Sequence, residues 1–210
     1  MKKVFLLFLV PLCLGLMGME SCFPGDGYPN PDAFGVSGHG PALSYTDNGD
    51  GTFTDNVTKW RWEIKTDDDS VHDVDNTYQW SDTGTDPDGS LFDVFLHTLN
   101  NTCDGEGVTD CDGDQDCAAG EKCGFAGFRD WCIPNVKRLQ SIVDYSTCNG
   151  CDSDTAASSV PGETFGSSYW SSTTLAGNTS NAWFVNFNNG PVDFNDKDRD
   201  FRARAVRPCE

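Results

Sequence analysis

Basic side chains are scarce in this sequence. Lys and Arg number 14 against 33 Asp and Glu, which gives a formal net charge of −19 at pH 7. A chain with this balance repels the phosphates of nucleic acids and the surfaces of anionic lipids. We therefore expect no nucleic-acid partner.

Histidine is also scarce, and the three residues, His39, His72 and His97, fall in separate segments. No Gly-x-Ser-x-Gly motif marks a serine nucleophile. The many carboxylates have no recognisable catalytic spacing. These absences favour a protein that is not an enzyme.

Long apolar runs are absent beyond the first residues of the chain. After Lys2 and Lys3, one apolar run extends from Val4 to Met19. It is shorter than the roughly 20 apolar residues of a membrane-spanning helix, and its positive start is typical of a secretory signal. No later segment has such a run, so the sequence predicts no membrane-spanning helix.

The end of this signal resembles a bacterial lipobox, in which a small residue (Ser21) precedes the cysteine that receives a lipid (Cys22). Residues 1–21 are then a signal peptide. The protein is expected to be exported and held at the outer membrane or cell surface by the lipid on Cys22. Glu20 departs from the small or apolar residue that is usual at its position. The alternative is ordinary signal cleavage that leaves Cys22 unmodified.

Cysteines are plentiful: there are ten, of which Cys13 leaves with the signal and Cys22 would carry the lipid. An even number then remains, as a closed set of disulfides in an exported protein requires. These residues are Cys103, Cys111, Cys117, Cys123, Cys132, Cys148, Cys151 and Cys209. Structural disulfides are favoured over a zinc or redox site, because Cys148-x-x-Cys151 has neither a matching second pair nor a thioredoxin-like context. The sequence leaves the pairing open.

The chain divides into a tether and one domain. Residues 22–44 are rich in Gly and Pro and are predicted to connect the lipid anchor to a domain over 45–210. The apolar content of 37%, with six Trp and 14 Phe, is sufficient for one core.

Local patterns predict an α+β fold with two helices, followed by a strand-rich and loop-rich C-terminal half stapled by disulfides. Asn48–Gly51 is typical of a hairpin turn, and the alternation over 60–64 of a half-buried strand. Ser90 and Asn135 are the expected N-caps of the two helices. Strands are expected at 169–170, 182–188 and 202–207, with a turn at 188–191.

A Cys-rich insert over 103–123 contains a candidate calcium site, because a hard cation prefers several carboxylate oxygens. Its carboxylates are Asp110, Asp112, Asp114 and Asp116. Cysteines interrupt the spacing of Gly and Glu that an EF-hand needs. The alternative is a solvated loop held by disulfides, without any cofactor.

Four segments, taken in order, resemble one known family. They are DNGDGTFTDNVTKWRW (47–62), GFRDWCIPNVKRLQSIVDYS (127–146), YWSSTT (169–174), and AWFVNFNNGPVDF with RARAVR (182–207). All are similar to the Lcl C-terminal domain family, which ends bacterial collagen-like adhesins and occurs in surface lipoproteins. The resemblance implies a C-type-lectin-like fold whose loop-rich C-terminal face binds ligands.

The last of these segments is also similar to the variable region of bacterial and phage target proteins that retroelements diversify. In those proteins, residues around a framework like Trp183-x-Val185-x-Phe187 form the ligand surface. The resemblance implies that the ligand-binding residues here are Phe184, Asn186, Asn188, Asn189, Asp193, Phe194, Asn195, Asp196, Asp198, Arg199 and Asp200. Aromatic, amide and charged groups on a fixed scaffold suit adaptable recognition. The alternative is a solvated hairpin that binds nothing.

The chain departs from the family at Cys132, where Arg is usual, and in the insert over 103–123. Both departures imply extra disulfides, with Cys132–Cys209 a candidate pair. The sulfated glycans that adhesin members bind do not suit so acidic a chain. A local basic cluster is expected only from Arg199, Arg202, Arg204 and Arg207.

These patterns together predict an envelope or cell-surface lipoprotein with a domain for adhesion or recognition. Its ligand is expected to be a protein or a glycan. Two alternatives are a structural periplasmic lipoprotein without a dedicated ligand, and an uncharacterised enzyme of the formylglycine-generating fold class.

Overall fold

A computed structural model of the chain describes residues 42–103, 110–147 and 158–209. The predicted signal, the predicted lipidation site Cys22, most of the predicted tether, and the pair Cys148 and Cys151 lie outside the described residues. Among the described residues, no helix has the length and apolar character needed to cross a membrane.

The first sheet joins distant parts of the chain. Its four strands are β1 (Tyr45–Asp47), β2 (Thr52–Asp55), β3 (Arg61–Glu63) and β9 (Val206–Arg207), in the order β1-β2-β3-β9, and all pairs are antiparallel. The sheet therefore brings the beginning of the domain beside its end.

The predicted hairpin between β1 and β2 is confirmed. Gly49 and Gly51 have φ values of +75° and +80°, a region that glycine adopts without steric cost. The N–H of Asn48 donates to the carbonyl of Thr52 at 2.9 Å and closes the turn. The local sequence alone accounts for this element.

The second sheet lies in the C-terminal half, as expected. It consists of β5 (Ser168–Thr174), β6 (Asn181–Asn186) and β7 (Val192–Asp196), paired antiparallel in that order. A separate two-stranded antiparallel sheet pairs β4 (Tyr78–Gln79) with β8 (Asp200–Phe201).

Two expectations about the C-terminal half need correction. The predicted strand over 202–207 is strand only at Val206–Arg207. The predicted strand over 182–188 ends at Asn186, because the chain turns there towards Gly190, which has a φ of +82°. The predicted turn at 188–191 is present.

The helices are short. A π-helical turn over Leu91–Leu96 continues into α1 (His97–Asn101), and α2 covers Val136–Gln140. Single 3₁₀ turns occur at Asp114–Asp116 and Phe125–Gly127.

Only one of the two expected N-caps is confirmed. The side chain of Asn135 accepts a hydrogen bond from the N–H of Arg138 at 2.9 Å and caps α2. The cap expected at Ser90 is wrong, because this residue makes no side-chain cap hydrogen bond. Its hydroxyl instead accepts the N–H of Gln79 at 3.0 Å.

Two apolar clusters lie on opposite faces of the second sheet. Tyr169 and Val185 face the cluster shared with the first sheet and α2. Trp170 and Ala182 face the other cluster, which includes Phe95 from the π-helical turn over Leu91–Leu96. The sheet is thus covered on both faces, which fixes the position of β6.

Three disulfides are present among the described residues, so the predicted stapling is confirmed there. Cys103 bonds to Cys117 and Cys111 to Cys123, inside the insert. The candidate pair Cys132–Cys209 is also present and links residues 77 positions apart. Within the described residues, the fold therefore combines few, short helices with several antiparallel sheets and disulfide-bonded loops.

Candidate functional site

The eleven residues predicted to bind a ligand lie on β6, on β7 and on the turns that follow these strands. None of them is fully buried. Four are half-buried: Phe184, Asn186, Asn188 and Asn195. Seven are exposed: Asn189, Asp193, Phe194, Asp196, Asp198, Arg199 and Asp200.

These residues form an extended surface rather than one pocket. Successive side chains of a strand point to opposite faces, so Phe194 and Asp196 share one face of β7 while Asp193 and Asn195 share the other. Five residues of strand extend roughly 16 Å. The turn containing Asn189 therefore lies well away from the turn after β7.

Phe184 has a different environment from its neighbours. Its ring lies 4.9 Å from that of Phe201 and 6.4 Å from that of Trp170, both edge-to-face, and it packs against the second apolar cluster. Its main role in this fold is therefore packing. A substitution here would change the stability of the domain as well as any surface contact.

Phe194 is the exposed aromatic residue of the surface, with 45% of its area accessible. It lies opposite Trp183 in the register of β6 and β7, and the two rings meet edge-to-face at 5.6 Å. Cross-strand aromatic pairs of this kind hold each other in place. The Phe194 ring is therefore presented to solvent in a fixed position.

The turn after β7 is anchored by Lys197, which is only 1% exposed. Its ammonium nitrogen lies 3.6 Å from the centroid of the Trp80 ring and donates to the carbonyl of Thr85 at 2.6 Å. Its own carbonyl accepts the N–H groups of Trp80 and Ser81, both at 3.0 Å. Sequence patterns did not identify this residue, since lysine in a turn is ordinarily solvated.

The β6–β7 surface is acidic. Asp193, Asp196, Asp198 and Asp200 are exposed, and none forms an ion pair with another described residue. Arg199 is the basic residue among the eleven predicted positions. Four carboxylates against one guanidinium leave a local excess of negative charge.

In the described part of the chain, β7 pairs only with β6 and is an edge strand. Two of its backbone N–H groups are occupied by side chains. The N–H of Phe194 donates to Oδ1 of Asp193 at 2.8 Å, and the N–H of Asp196 donates to Oδ1 of Asn195 at 2.9 Å. Side-chain acceptors thus take up donors that another strand would need.

The predicted basic cluster is not formed. Arg204 is only 1% exposed, and its guanidinium donates to the carbonyls of Glu63 and Glu163. Arg202 stacks on the Phe165 ring at 4.1 Å. Arg202 and Arg204 lie in a segment without regular strand pairing, and their guanidinium groups contact different parts of the fold. They therefore do not form a common basic patch.

The four carboxylates of the candidate calcium site do not come together. No three of them bring ligand oxygens within 4.8 Å of one another in the described residues. Asp114 pairs with Lys122 at 2.7 Å, and Asp116 accepts the N–H of Asp112 at 2.8 Å. Asp110 lies 3.3 Å from His97. These contacts fold the insert around its two disulfides.

A buried polar cluster lies beneath the first sheet, where local patterns predicted none. Glu63 is fully buried and accepts from Lys65 at 3.1 Å, lies 2.8 Å from Nδ1 of His72, and accepts the N–H of Ala205 at 3.0 Å. Among the described residues, the other ring nitrogen of His72 has no hydrogen-bond partner. The arrangement resembles an ion-paired core more than a catalytic relay.

A groove of about 260 Å³ borders the Cys132–Cys209 disulfide, with Leu96 and Arg138 on its walls. Arg138 donates to the carbonyl of Pro208 at 2.7 Å and stacks on Trp60 at 4.3 Å. Its guanidinium is thus already engaged by the fold. The groove is mostly apolar and does not include any of the eleven predicted residues.

Comparison with known proteins supports the resemblance stated above. No curated protein and no solved structure matches the chain. The family model of the Lcl C-terminal domain matches residues 51–207, which is well over half of the chain and includes every strand from β2 to β9. The chain therefore belongs to the Lcl C-terminal domain family.

Proposed function

We propose that this chain is the ligand-binding part of an exported envelope lipoprotein, anchored through Cys22 and used for adhesion or recognition at the cell surface. Its ligand is a protein or a glycan. The contact surface consists of β7, its neighbouring turns and the outward side chains of β6. The proposal includes a C-type-lectin-like fold and kinship with retroelement-diversified ligand-binding domains, on the strength of the motifs around Trp183 and Arg204.

The observation that carries this proposal is the fixed exposure of the β6–β7 surface. Phe194 is exposed yet held by Trp183, and the next turn is held by the buried Lys197. A recognition surface needs side chains that are accessible and already ordered, because ordering them on binding costs free energy. A merely solvated hairpin has no need of such support.

The test is ligand capture by the full chain, purified in detergent, on arrays of glycans and bacterial and host surface proteins. The double variant Phe194→Ala/Arg199→Ala should lose capture while the domain stays folded, with a melting temperature lower by only about 2–4 °C from loss of the Trp183 contact. Val94→Ala is the matched control, because Val94 is 54% exposed and lies on the π-helical turn over Leu91–Leu96, away from β6 and β7. Capture that survives in the double variant would refute the assigned surface.

The proposal gives the chain no catalytic role and no cofactor. Its main competitor is a structural periplasmic lipoprotein. Brief protease treatment of intact cells distinguishes the two, because only a domain displayed outside the cell is removed. Complete protection in intact cells, with cleavage after lysis, would favour the structural role.

A further inference from the structure

We infer that the β6–β7 surface recognises a polypeptide segment that carries lysine or arginine side chains. This inference rests on the proposed function, since it names the partner of the same surface. It is drawn from three features of β7 and its turns. These are the exposed aromatic ring, the carboxylates without an ion-pair partner among the described residues, and the strand edge whose N–H groups are bound by side chains.

The aromatic ring provides a place for a cation. The exposed ring of Phe194 is fixed by Trp183, and a lysine or arginine side chain is attracted to the face of an aromatic ring. Asp196 follows two positions later on the same face of β7, so a carboxylate stands beside the ring. The methylene stem of such a side chain can also cover apolar surface, which suits the exposed part of Phe194.

The carboxylates determine the charge that a partner of this surface must carry. Asp193, Asp196, Asp198 and Asp200 have no ion-pair partner among the described residues, whereas other exposed acids such as Asp114 and Asp130 do. Unpaired charges of one sign attract an opposite surface and repel a like one. A basic segment therefore fits this surface, and an anionic polymer does not.

The edge of β7 determines how the partner is held. Because Asp193 and Asn195 occupy the N–H groups of Phe194 and Asp196, an incoming strand would find those donors already used. Partners that add a strand depend on main-chain hydrogen bonds. The basic segment is thus held by its side chains rather than by strand addition.

Binding of a labelled ten-residue oligolysine to the full chain in detergent, followed by fluorescence anisotropy, tests the inference. The variant Asp193→Asn/Asp196→Asn keeps both Oδ1 acceptors and removes two charges. We expect it to raise the Kd roughly three- to tenfold, and Phe194→Ala to raise it by about tenfold. Added salt should weaken binding by the wild type, because the contacts are exposed.

The matched control is Asp93→Asn/Asp112→Asn. It changes the net charge by the same amount. Both carboxylates are exposed, lie outside the β6–β7 surface and form no ion pair among the described residues. We expect its Kd to stay within about twofold of the wild type. Equal weakening in both charge variants would mean that the peptide responds to the whole acidic chain, and this would overturn the inference.

A neutral oligosaccharide, cellohexaose, separates failure of the inference from failure of the proposed function. Binding of cellohexaose that depends on Phe194, without binding of oligolysine, would overturn the partner class and leave the surface assignment intact. If Phe194→Ala alters neither these probes nor capture on the arrays, both proposals are wrong.

Discussion

Glu63 is held in the interior by three donors. The ammonium group of Lys65 donates to Oε1 of Glu63, and the N–H of Ala205 donates to Oε2. Nδ1 of His72 also contacts Oε1. Lys65 is itself 2% exposed, with its nitrogen 4.9 Å from the centroid of the Phe95 ring. A buried charge that loses its partner costs far more than the pair as a whole contributes.

Glu63→Gln should therefore lower the free energy of unfolding by roughly 3–5 kcal/mol, because it leaves the buried Lys65 ammonium without its ion-pair partner. Urea unfolding measures the change. The control is the double variant Glu63→Gln/Lys65→Met, which removes both charges and should be more stable than the single variant. A double variant that is no more stable than the single one would contradict the pairing.

Because of Glu63, we expect the stability of the fold to depend on pH. Burial acts to raise the pKa of Glu63, but the charge of Lys65 and the hydrogen bond of His72 outweigh it and hold this pKa below its ordinary value of 4.5. A carboxyl group whose pKa is lowered by folding stabilises the fold above its unfolded-state pKa, and this stabilisation is lost as the pH falls through the lowered value. The melting temperature should thus decrease as the pH is lowered below about 4.5, and this decrease should be less steep in Glu63→Gln. Parallel pH profiles for the two proteins would argue against this role.

The environment of such residues lies beyond local sequence patterns. The alternation around Trp62 correctly predicts a strand, but it leaves Glu63 on the polar side. Burial of that side depends on Arg204 and Ala205, which are far away in the chain and pack on β3. In the same way, Phe184 was predicted at the surface, and its packing depends on the position of Phe201.

The edge of β7 is the clearest feature at the level of single elements. A free edge invites pairing with another chain, and natural strands reduce this risk in several ways. Here Asp193 and Asn195 each accept the N–H of the residue that follows them. Both acceptors belong to residues that the sequence marked only as ligand contacts.

Asp193→Ala/Asn195→Ala should increase self-association, because it exposes the N–H groups of Phe194 and Asp196. Light scattering across a range of protein concentrations measures this. The swapped variant Asp193→Asn/Asn195→Asp keeps an Oδ1 acceptor at each position and should behave as the wild type. Identical behaviour of the two variants would show that the acceptors do not protect the edge.

Elements were predictable where their signals are local. The glycines of the first hairpin and the cap at Asn135 act on backbone groups within a few residues, and both were predicted correctly. Ser90 has the right residue type for a cap, but its hydroxyl is used by Gln79 from another segment. Local propensity thus fails where a tertiary contact competes for the same atom.

For the whole molecule, the disulfides differ in what they connect. Cys132–Cys209 links positions 77 residues apart, whereas Cys103–Cys117 closes a separation of 14 inside the insert. The longer loop restricts the unfolded chain more. The insert also forms its own small cluster of buried cysteines, separate from the two main cores.

Cys132→Ser/Cys209→Ser should accordingly lower the free energy of unfolding by about 4.5 kcal/mol. The matched pair Cys103→Ser/Cys117→Ser should cost less, about 3 kcal/mol on the same chain-entropy basis. Urea unfolding without reductant measures both. A larger loss from the insert pair would mean that the insert, and not the long-range link, limits the stability of the domain.

Family membership was predictable from the whole chain because four motifs occur in a fixed order, and the family model covers the same region. The order of strands in the first sheet was not. Pairing of β3 with β9 depends on contacts across almost the entire domain. The sequence predicted the candidate surface as one segment, while the division of that segment between two faces and two turns required the register of β6 and β7.

The pairing of Trp62 with Val206 has a consequence for the nascent chain. Translation must pass Arg207 before one side of β3 gains its neighbour and before Ala205 can donate to Glu63. Contacts so far apart in sequence form late and slowly. A polypeptide that ends before these residues would leave one side of β3 open to proteases, so the segment around Val206 is needed for the native state.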